Sequence, residues 1–214
     1  IKNDILKTIE KWKNIKLKQV EKFPQKIYDK GGVLKKTVVD LVDSNLDKII
    51  VQNKNDLETV KTILDEIDSN INIEIDENIL SKYSLEKQMK QAENKKVWLK
   101  SGAFITIDKT EALVAIDVNS GKFIGKDDAE ETITAVNIEA AKEISKQIRL
   151  RDISGIIVID FIDMQKEENK NAVISEIVKN SKKDRSKVQV EEFTKLNLME
   201  ITRKHINSKK SFEK

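Results

Sequence analysis

The chain has 214 residues, of which 36% are charged and 38% are hydrophobic, and its formal net charge is +3. The absence of cysteine excludes disulfides, iron–sulfur clusters, thiol catalysis and cysteine–zinc sites, and the single histidine, His205, argues against a Ser/His/Asp triad. No apolar run approaches the ~20 residues of a membrane span and no signal-peptide pattern opens the chain, so we expect a soluble, cytoplasmic protein.

The first half of the chain alternates between helical and strand patterns. Apolar residues at three- to four-residue spacing, beginning with Ile5 and Ile9, predict an amphipathic first helix. Further helices are predicted at 34–42, 57–67 and 79–92, and strands at 48–51, 71–75 and 96–99. Trp12 and Trp98 lie in apolar patterns and are predicted to be core residues. We place a domain boundary near residue 100, which gives domains at 1–100 and 101–214.

The second half has a stronger pattern. Two apolar runs separated by a polar turn predict a β-hairpin, and a helix start signal follows at Asp127 and Asp128. A fully apolar strand of the buried type is predicted at 156–162, followed by a helix at 166–182 and a strand at 187–193. Residues 198–204 fit either a helix or a strand. The β-β-α-β-α-β order predicts an α/β protein with layers of sheet and helix.

Two strands end in carboxylates. Asp117 and Asn119 are two residues apart and therefore point to one face of their strand, while Asp160 ends the apolar strand. Carboxylates on adjacent strands would repel each other, and a hard cation such as Mg²⁺, which binds one or two carboxylates plus waters and phosphate oxygens, would remove that repulsion. The alternative is that both are structural acids, which accept backbone N–H bonds or pair with Lys and Arg.

Other charged residues have a functional and a structural interpretation. Lys122 and Lys126 follow a glycine turn and are candidates for phosphate contacts or for a solvated loop. Arg185 is a candidate to hold a phosphate or to pair with the adjacent acid. Asp163 is either a further metal or water ligand or, as we favour, the cap of the next helix.

Several motifs in this region resemble the catalytic core of the ribonuclease E/G family of bacterial endoribonucleases. The match covers residues 101–204 in the correct order and spacing. Its segments are TEALVAIDVNSGK (110–122), NIEAA (137–141), QIRLRD (147–152), IIVIDFIDM (156–164), KDR (183–185) and EITRK (200–204). Residues 1–100 are only loosely similar to the ribonuclease H-like portion that precedes this core in the family.

The resemblance implies a fold and an activity. The core would be similar to deoxyribonuclease I, with Asp117 and Asp160 as magnesium ligands and Asn119 positioning them. The enzyme would hydrolyse single-stranded, typically AU-rich RNA and leave 5′-phosphate and 3′-hydroxyl ends. Lys187 falls where the family has a basic residue that helps to hold the RNA 5′-monophosphate. Phe123 and Phe161 are our candidates for stacking on an RNA base, with core packing favoured for Phe161.

The chain also departs from the family pattern. We find no room in residues 1–100 for the family's OB-fold and 5′-end-sensing modules, so we expect weaker RNA affinity and weaker 5′-end selectivity. The family's Cys-Pro-x-Cys segment is absent, so a homo-oligomer would have no cysteine–zinc link. Two alternatives stay open: a non-catalytic RNA-binding or scaffold module that retains the core fold, and a metal-dependent phosphodiesterase acting on DNA or small phosphoesters.

Overall fold

The computed structural model describes residues 2–17, 32–42, 46–121 and 129–205. The chain divides into two compact units, Ile1–Tyr83 and Ser84–Lys214. This division comes earlier than the boundary expected near residue 100, because the strand Lys96–Trp98 pairs with the sheet of the second unit. None of the helices in the described residues is both long enough and apolar enough to span a membrane.

The first unit is built on a pair of parallel strands joined by a helix. Its elements are α1 (Lys2–Leu17), α2 (Val33–Leu41), β1 (Lys48–Val51), α3 (Lys54–Glu66), β2 (Asn72–Ile75) and α4 (Ile79–Lys82). The Asn53 side chain caps α3 by accepting a hydrogen bond from the Asp56 backbone N–H at 2.9 Å. A small apolar core holds the unit together and consists of Val38, Val51, Val60, Ile63 and Leu64.

The second unit contains a larger mixed sheet and three helices within the described residues. Its elements are α5 (Leu85–Glu93), β3 (Lys96–Trp98), β4 (Phe104–Lys109), β5 (Leu113–Asn119), α6 (Ala129–Leu150), β6 (Gly155–Asp160), α7 (Glu167–Ser181), β7 (Val188–Phe193) and β8 (Leu198–Arg203). The strand order is β3-β4-β5-β6-β8-β7. Only β5 and β6 are parallel, because α6 carries the chain back between them; the other neighbours are antiparallel.

In the described residues, the helices α6 and α7 pack on one face of this sheet. Along β5, residues Val114, Ile116 and Val118 are buried while Ala115 and Asp117 between them are exposed. The buried strand residues share one apolar core with α6 and α7, and a fully buried aliphatic side chain contributes about 1.5–3 kcal/mol. The opposite face, hereafter the open face, therefore carries the side chains available to a ligand.

The α/β class predicted from the sequence is confirmed, and several local predictions are corrected. The ambiguous segment 198–204 is strand β8. The helix predicted at 79–92 is two helices, because Ser84 between them takes a left-handed conformation with φ 50°. The prediction that Trp12 and Trp98 are core residues is wrong, since their exposed fractions are 57% and 64%. In β3 it is Val97 that packs on the core, so strand alternation puts Trp98 on the open face.

Candidate active site

Two carboxylates from neighbouring strands lie side by side on the open face. Asp117 is in β5 and Asp160 is the last residue of β6, and the parallel register pairs the two directly. Neighbouring strands are about 4.8 Å apart, and residues directly opposite each other point to the same face. Both side chains are exposed. The structure therefore brings together the two acids that the sequence singled out.

The side-chain amide of Asn119 fixes the carboxylate of Asp117. Its Nδ2 donates a hydrogen bond to Oδ2 of Asp117 at 2.5 Å. The contact follows from the strand geometry, because residues two apart in β5 share a face. This bond restricts the rotation of the Asp117 side chain, and within the described residues its second oxygen accepts no hydrogen bond.

The electrostatics of the pair are those of two unneutralised acids. The pKa of Asp160 is raised above its ordinary value of 3.8, first by burial and then by the negative charges of Asp117 and Asp163. Within the described part of the chain, neither Asp117 nor Asp160 makes an ion pair with Lys or Arg, and neither accepts a hydrogen bond from a backbone N–H. These residues therefore give no support to the purely structural interpretation of the two acids.

The two carboxylates fit a magnesium ion that is coordinated mostly by water and substrate oxygens. Over residues 2–17, 32–42, 46–121 and 129–205, no three or more His, Asp or Glu side chains are grouped to hold a metal. The protein offers instead two exposed, mutually repelling carboxylates, one of them fixed by an amide. Mg²⁺ binds through one or two carboxylates and fills its remaining positions with water and phosphate oxygens. The site thus suits a cation that binds together with a phosphate-containing substrate.

The segment that contains this site matches a known protein family. The model of the ribonuclease E/G family matches residues 1–206. The chain belongs to the ribonuclease E/G family. The resemblance inferred from the motifs is thereby confirmed, and the match covers the first compact unit and most of the second.

Several similar proteins are named as ribonucleases. Ribonuclease G of Haemophilus influenzae is 38% identical over 200 residues, which cover 90% of this chain and 40% of that protein. Ribonuclease E of Escherichia coli (strain K12) is 33% identical over 212 residues, 95% of this chain and 20% of that protein. A chloroplastic ribonuclease E/G-like protein of Arabidopsis thaliana is 46% identical over 132 residues, 61% of this chain and 13% of that protein. The chain thus spans less than half the length of these relatives.

In this member of the ribonuclease E/G family, a buried asparagine supports the segment that follows Asp160. Asn137 is fully buried in α6; its Nδ2 donates to the carbonyl oxygen of Ile162 at 2.7 Å, and its Oδ1 accepts from the Ile162 backbone N–H at 3.1 Å. These two bonds fix the backbone two residues after Asp160. Sequence reasoning placed Asn137 in a family motif without a role; a polar residue on the apolar face of a helix was the available signal.

A glutamate of α6 performs the capping that we predicted for Asp163. Helix α7 begins at Glu167, and the carboxylate of Glu130 accepts a hydrogen bond from the Lys166 backbone N–H at 3.1 Å and one from the Asn169 side chain at 2.8 Å. The hydrogen bond from the Lys166 backbone N–H has the largest effect and the one from Asn169 the next largest, and both lower the pKa of Glu130. The capping prediction for Asp163 is therefore wrong, because an acid from another element satisfies the start of α7. Asp163 instead contributes negative charge near Asp160.

The predicted RNA contacts lie partly outside the description. Lys122, Lys126 and Phe123 fall outside the described residues, as does the helix start predicted at Asp127 and Asp128. Phe161 is only 3% exposed and belongs to the core, as we favoured. The described part of the site therefore gains no stacking surface from the aromatic residue next to Asp160.

Arg185 and Lys187 are exposed but distant from the two carboxylates. They precede β7, whose first residue lies level with Gly155 at the start of β6. Asp160 is at the other end of β6, five residues or roughly 17 Å along the strand. The structure thus does not bring these basic residues to the acid pair, and their role as RNA contacts stays a prediction for a more remote part of the substrate.

The acid adjacent to Arg185 has a buried partner. Nε of Arg203 lies 2.9 Å from Oδ2 of Asp184, and Nη1 of Arg203 lies 2.6 Å from Asp152. Burial disfavours the charge of Asp184, but the hydrogen bonds from Arg203 outweigh it and the pKa of Asp184 is lowered. The arginine in the family motif at 200–204 is therefore structural: it ties the end of β8 to the loops before β6 and β7.

Proposed function

We propose that this chain carries the catalytic centre of a magnesium-dependent endoribonuclease. It would hydrolyse phosphodiester bonds in single-stranded RNA and leave a 5′-phosphate and a 3′-hydroxyl. The observation that carries the proposal is the direct register pairing of Asp117 with Asp160 on the open face of the sheet. Family membership supports RNA as the substrate, and the mutual repulsion of the carboxylates supports a bound cation.

Each residue of the site has a defined task in this proposal. Asp117 and Asp160 would each supply a carboxylate oxygen to Mg²⁺, and Asn119 would keep Asp117 in the orientation that presents its second oxygen. When bound, the ion would polarise the scissile phosphate and make a water molecule more acidic. The water oxygen bonds to phosphorus, the bond from phosphorus to the 3′-oxygen breaks, and that oxygen takes up a proton. Asn137, buried in α6, positions Asp160 indirectly, because its two hydrogen bonds fix the backbone at Ile162.

The decisive experiment is cleavage of a 5′-monophosphorylated single-stranded RNA with Mg²⁺ and then with EDTA. We expect cleavage only with Mg²⁺, and we expect the double variant Asp117→Asn, Asp160→Asn to lose it while its melting temperature is retained. Asp108→Asn is the matched control, because Asp108 is an exposed strand carboxylate of the same sheet that pairs with Lys95 at 2.6 Å. That variant should cleave RNA normally.

The outcomes separate the rival interpretations. Cleavage that survives the double substitution would place the reaction elsewhere in the chain. If the chain binds RNA but neither cleaves it nor binds Mg²⁺, the result would favour the non-catalytic scaffold module. Equal cleavage of a DNA oligomer of matched sequence would favour a general phosphodiesterase. Product ends are read by ligation, which requires a 5′-phosphate and a 3′-hydroxyl.

The same proposal extends to the architecture. We propose that the second unit is the deoxyribonuclease I-like core of the family and that the first unit is its ribonuclease H-like portion. The one-sided sheet with acids on its open face supports the first assignment, and the parallel strand–helix–strand arrangement of β1, α3 and β2 is compatible with the second. Superposition of an experimental structure on members of those two fold classes tests both assignments.

A further inference from the structure

A cluster of aromatic rings and one lysine lies on the open face beside the acid pair. It consists of Trp98, Phe104 and Lys96, and we call it the aromatic platform. The ring centroids of Trp98 and Phe104 are 5.2 Å apart with their planes tilted by 60°. Nζ of Lys96 lies 4.1 Å from the Trp98 centroid and 3.4 Å from the Phe104 centroid. An exposed aromatic surface with an ammonium group above it is a typical surface for nucleic-acid bases and phosphates.

Strand register connects the platform to the candidate active site. Trp98 pairs with Phe104, and Phe104 pairs with Asn119, so the three side chains form one row across β3, β4 and β5. The adjacent row on the open face is formed in the same way, by the successive pairing of Lys96, Thr106, Asp117 and Asp160. Trp98 is two strand spacings from Asn119, roughly 10 Å. A base one or two nucleotides from a phosphate bound at Asp117 can reach that far along the sheet.

Strand alternation places Trp98 on the open face, where its ring is 64% exposed, while its chain neighbours Val97 and Leu99 pack on the core. A large ring left in water forgoes the stabilisation that burial would give it, and exposed aromatic surface beside a polar site marks a binding surface. The Lys96 ammonium adds a positive charge directly over the two rings, a combination that favours a polyanion with flat, stackable groups over a purely apolar partner.

Resting on the proposed function, we propose that the aromatic platform binds the RNA strand next to the cleaved bond. One unpaired base stacks on Trp98 and packs against Phe104, while Lys96 leaves the rings to pair with the adjacent phosphate. The site then selects single-stranded RNA because a base held in a duplex cannot lie flat on the ring. The platform fixes the position of the strand on the open face and thereby determines which phosphate reaches Asp117 and Asp160.

The chain contains a matched control for this proposal. Its only other tryptophan, Trp12, is 57% exposed and also lies under a lysine, with Nζ of Lys16 at 5.3 Å from the ring centroid. That pair is on α1 in the first compact unit. Trp12→Phe leaves Trp98 as the only tryptophan, and Trp98→Phe leaves only Trp12. The two single-tryptophan proteins therefore report separately on the two surfaces.

The test is titration of the 214-residue chain with a single-stranded RNA oligomer in EDTA, followed by tryptophan fluorescence. We expect RNA to quench the fluorescence of Trp12→Phe and to leave that of Trp98→Phe unchanged. Trp98→Leu should weaken RNA binding by about five- to one-hundred-fold, as loss of one stacked base does, and Trp98→Phe should recover part of it. Trp12→Leu should bind normally. Lys96→Gln should weaken binding and lower the salt dependence by about one phosphate contact.

Three results would overturn the platform: RNA fails to bind the chain, RNA binds without quenching Trp98, or Trp98→Leu binds RNA as tightly as the unmodified chain. A duplex of the same sequence that quenches Trp98 equally would also contradict it. Thermal melting of Trp98→Leu checks that the sheet is intact. If this variant is unfolded, the conservative variant Trp98→Phe replaces it in the binding comparison. Failure of the proposed function is a different result: RNA would stay uncut with Mg²⁺, or be cut after both acids are replaced, while quenching persists.

Discussion

Replacing Asp160 with asparagine should stabilise the metal-free protein, because it removes the repulsion between two carboxylates on neighbouring strands. Charges about 5 Å apart repel by about 0.8 kcal/mol in water and by about 3 kcal/mol at an effective dielectric of 20. Both side chains are exposed, so the lower end applies, and we expect about 1 kcal/mol. For a chain of this length that gain corresponds to a rise in melting temperature of about 2–4 °C in EDTA.

The pH dependence of this gain follows from the pKa of Asp160. Its folded-state pKa is raised above 3.8, so the protonated form is favoured by folding. The resulting stability is fully present below pH 3.8 and is lost as the pH rises through the raised value. Asparagine mimics the protonated acid at every pH. The melting temperatures of the variant and the unmodified chain should therefore converge in acid and separate as the pH rises toward neutrality.

Adding Mg²⁺ should reverse the order of the melting temperatures of the unmodified chain and Asp160→Asn. A ligand present at ten times its dissociation constant stabilises the protein that binds it by about 1.4 kcal/mol. Only the chain with both carboxylates gains that amount, so it should melt above Asp160→Asn in Mg²⁺ and below it in EDTA. Asp108→Asn should show no such reversal, since it removes a paired surface carboxylate. An equal Mg²⁺ shift in both proteins, or a lower melting temperature for Asp160→Asn in EDTA, would refute the reasoning.

Three further substitutions test the residues that support the site. Arg203→Met removes the ion-pair partner of the buried Asp184 and leaves it only the hydrogen bond from the Ser186 backbone N–H, so it should cost about 3–5 kcal/mol in urea denaturation, whereas Lys183→Met on the exposed neighbouring turn should be nearly neutral. Asn137→Ala leaves a backbone N–H and C=O unpaired, and it should cost about 2–5 kcal/mol and lower kcat for RNA cleavage. Glu130 has a lowered pKa, so its stabilisation is present above pH 4.5 and lost below; Glu130→Gln should reduce the acid dependence of the melting temperature.

The elements that the sequence predicted well are those whose apolar pattern has one consistent period. The alternation in 104–107 and 112–118 specifies strands with one buried face, and the hairpin and its register follow from it. The same alternation puts Asp117 and Asn119 on one face. The pairing of Asp117 with Asp160 required one further step, a helix between two parallel strands, which the apolar spacing of α6 supplied.

The features that the sequence did not predict depend on contacts between distant segments. Helix α7 is capped by Glu130, 37 residues before its first residue, and no local pattern reveals such a partner. Trp98 is next to two core residues, so its apolar neighbours suggested burial, and only the pairing of β3 with β4 shows which face it takes. The break at Ser84 lies within a continuous helical pattern and depends on a backbone conformation with positive φ.

The stability of the sheet and the chemistry of the site depend on opposite faces of the same strands. In β5 the buried residues Ile116 and Val118 flank Asp117, so the apolar face that fixes the strand also fixes the carboxylate. The repulsion between Asp117 and Asp160 costs about 1 kcal/mol, which is less than the about 1.5–3 kcal/mol from burying one aliphatic side chain beneath it. The sheet can therefore hold two like charges in register without a cation. In the proposed function the two carboxylates would therefore already be in place before Mg²⁺ binds, and the energy of ion binding would not be needed to assemble the site.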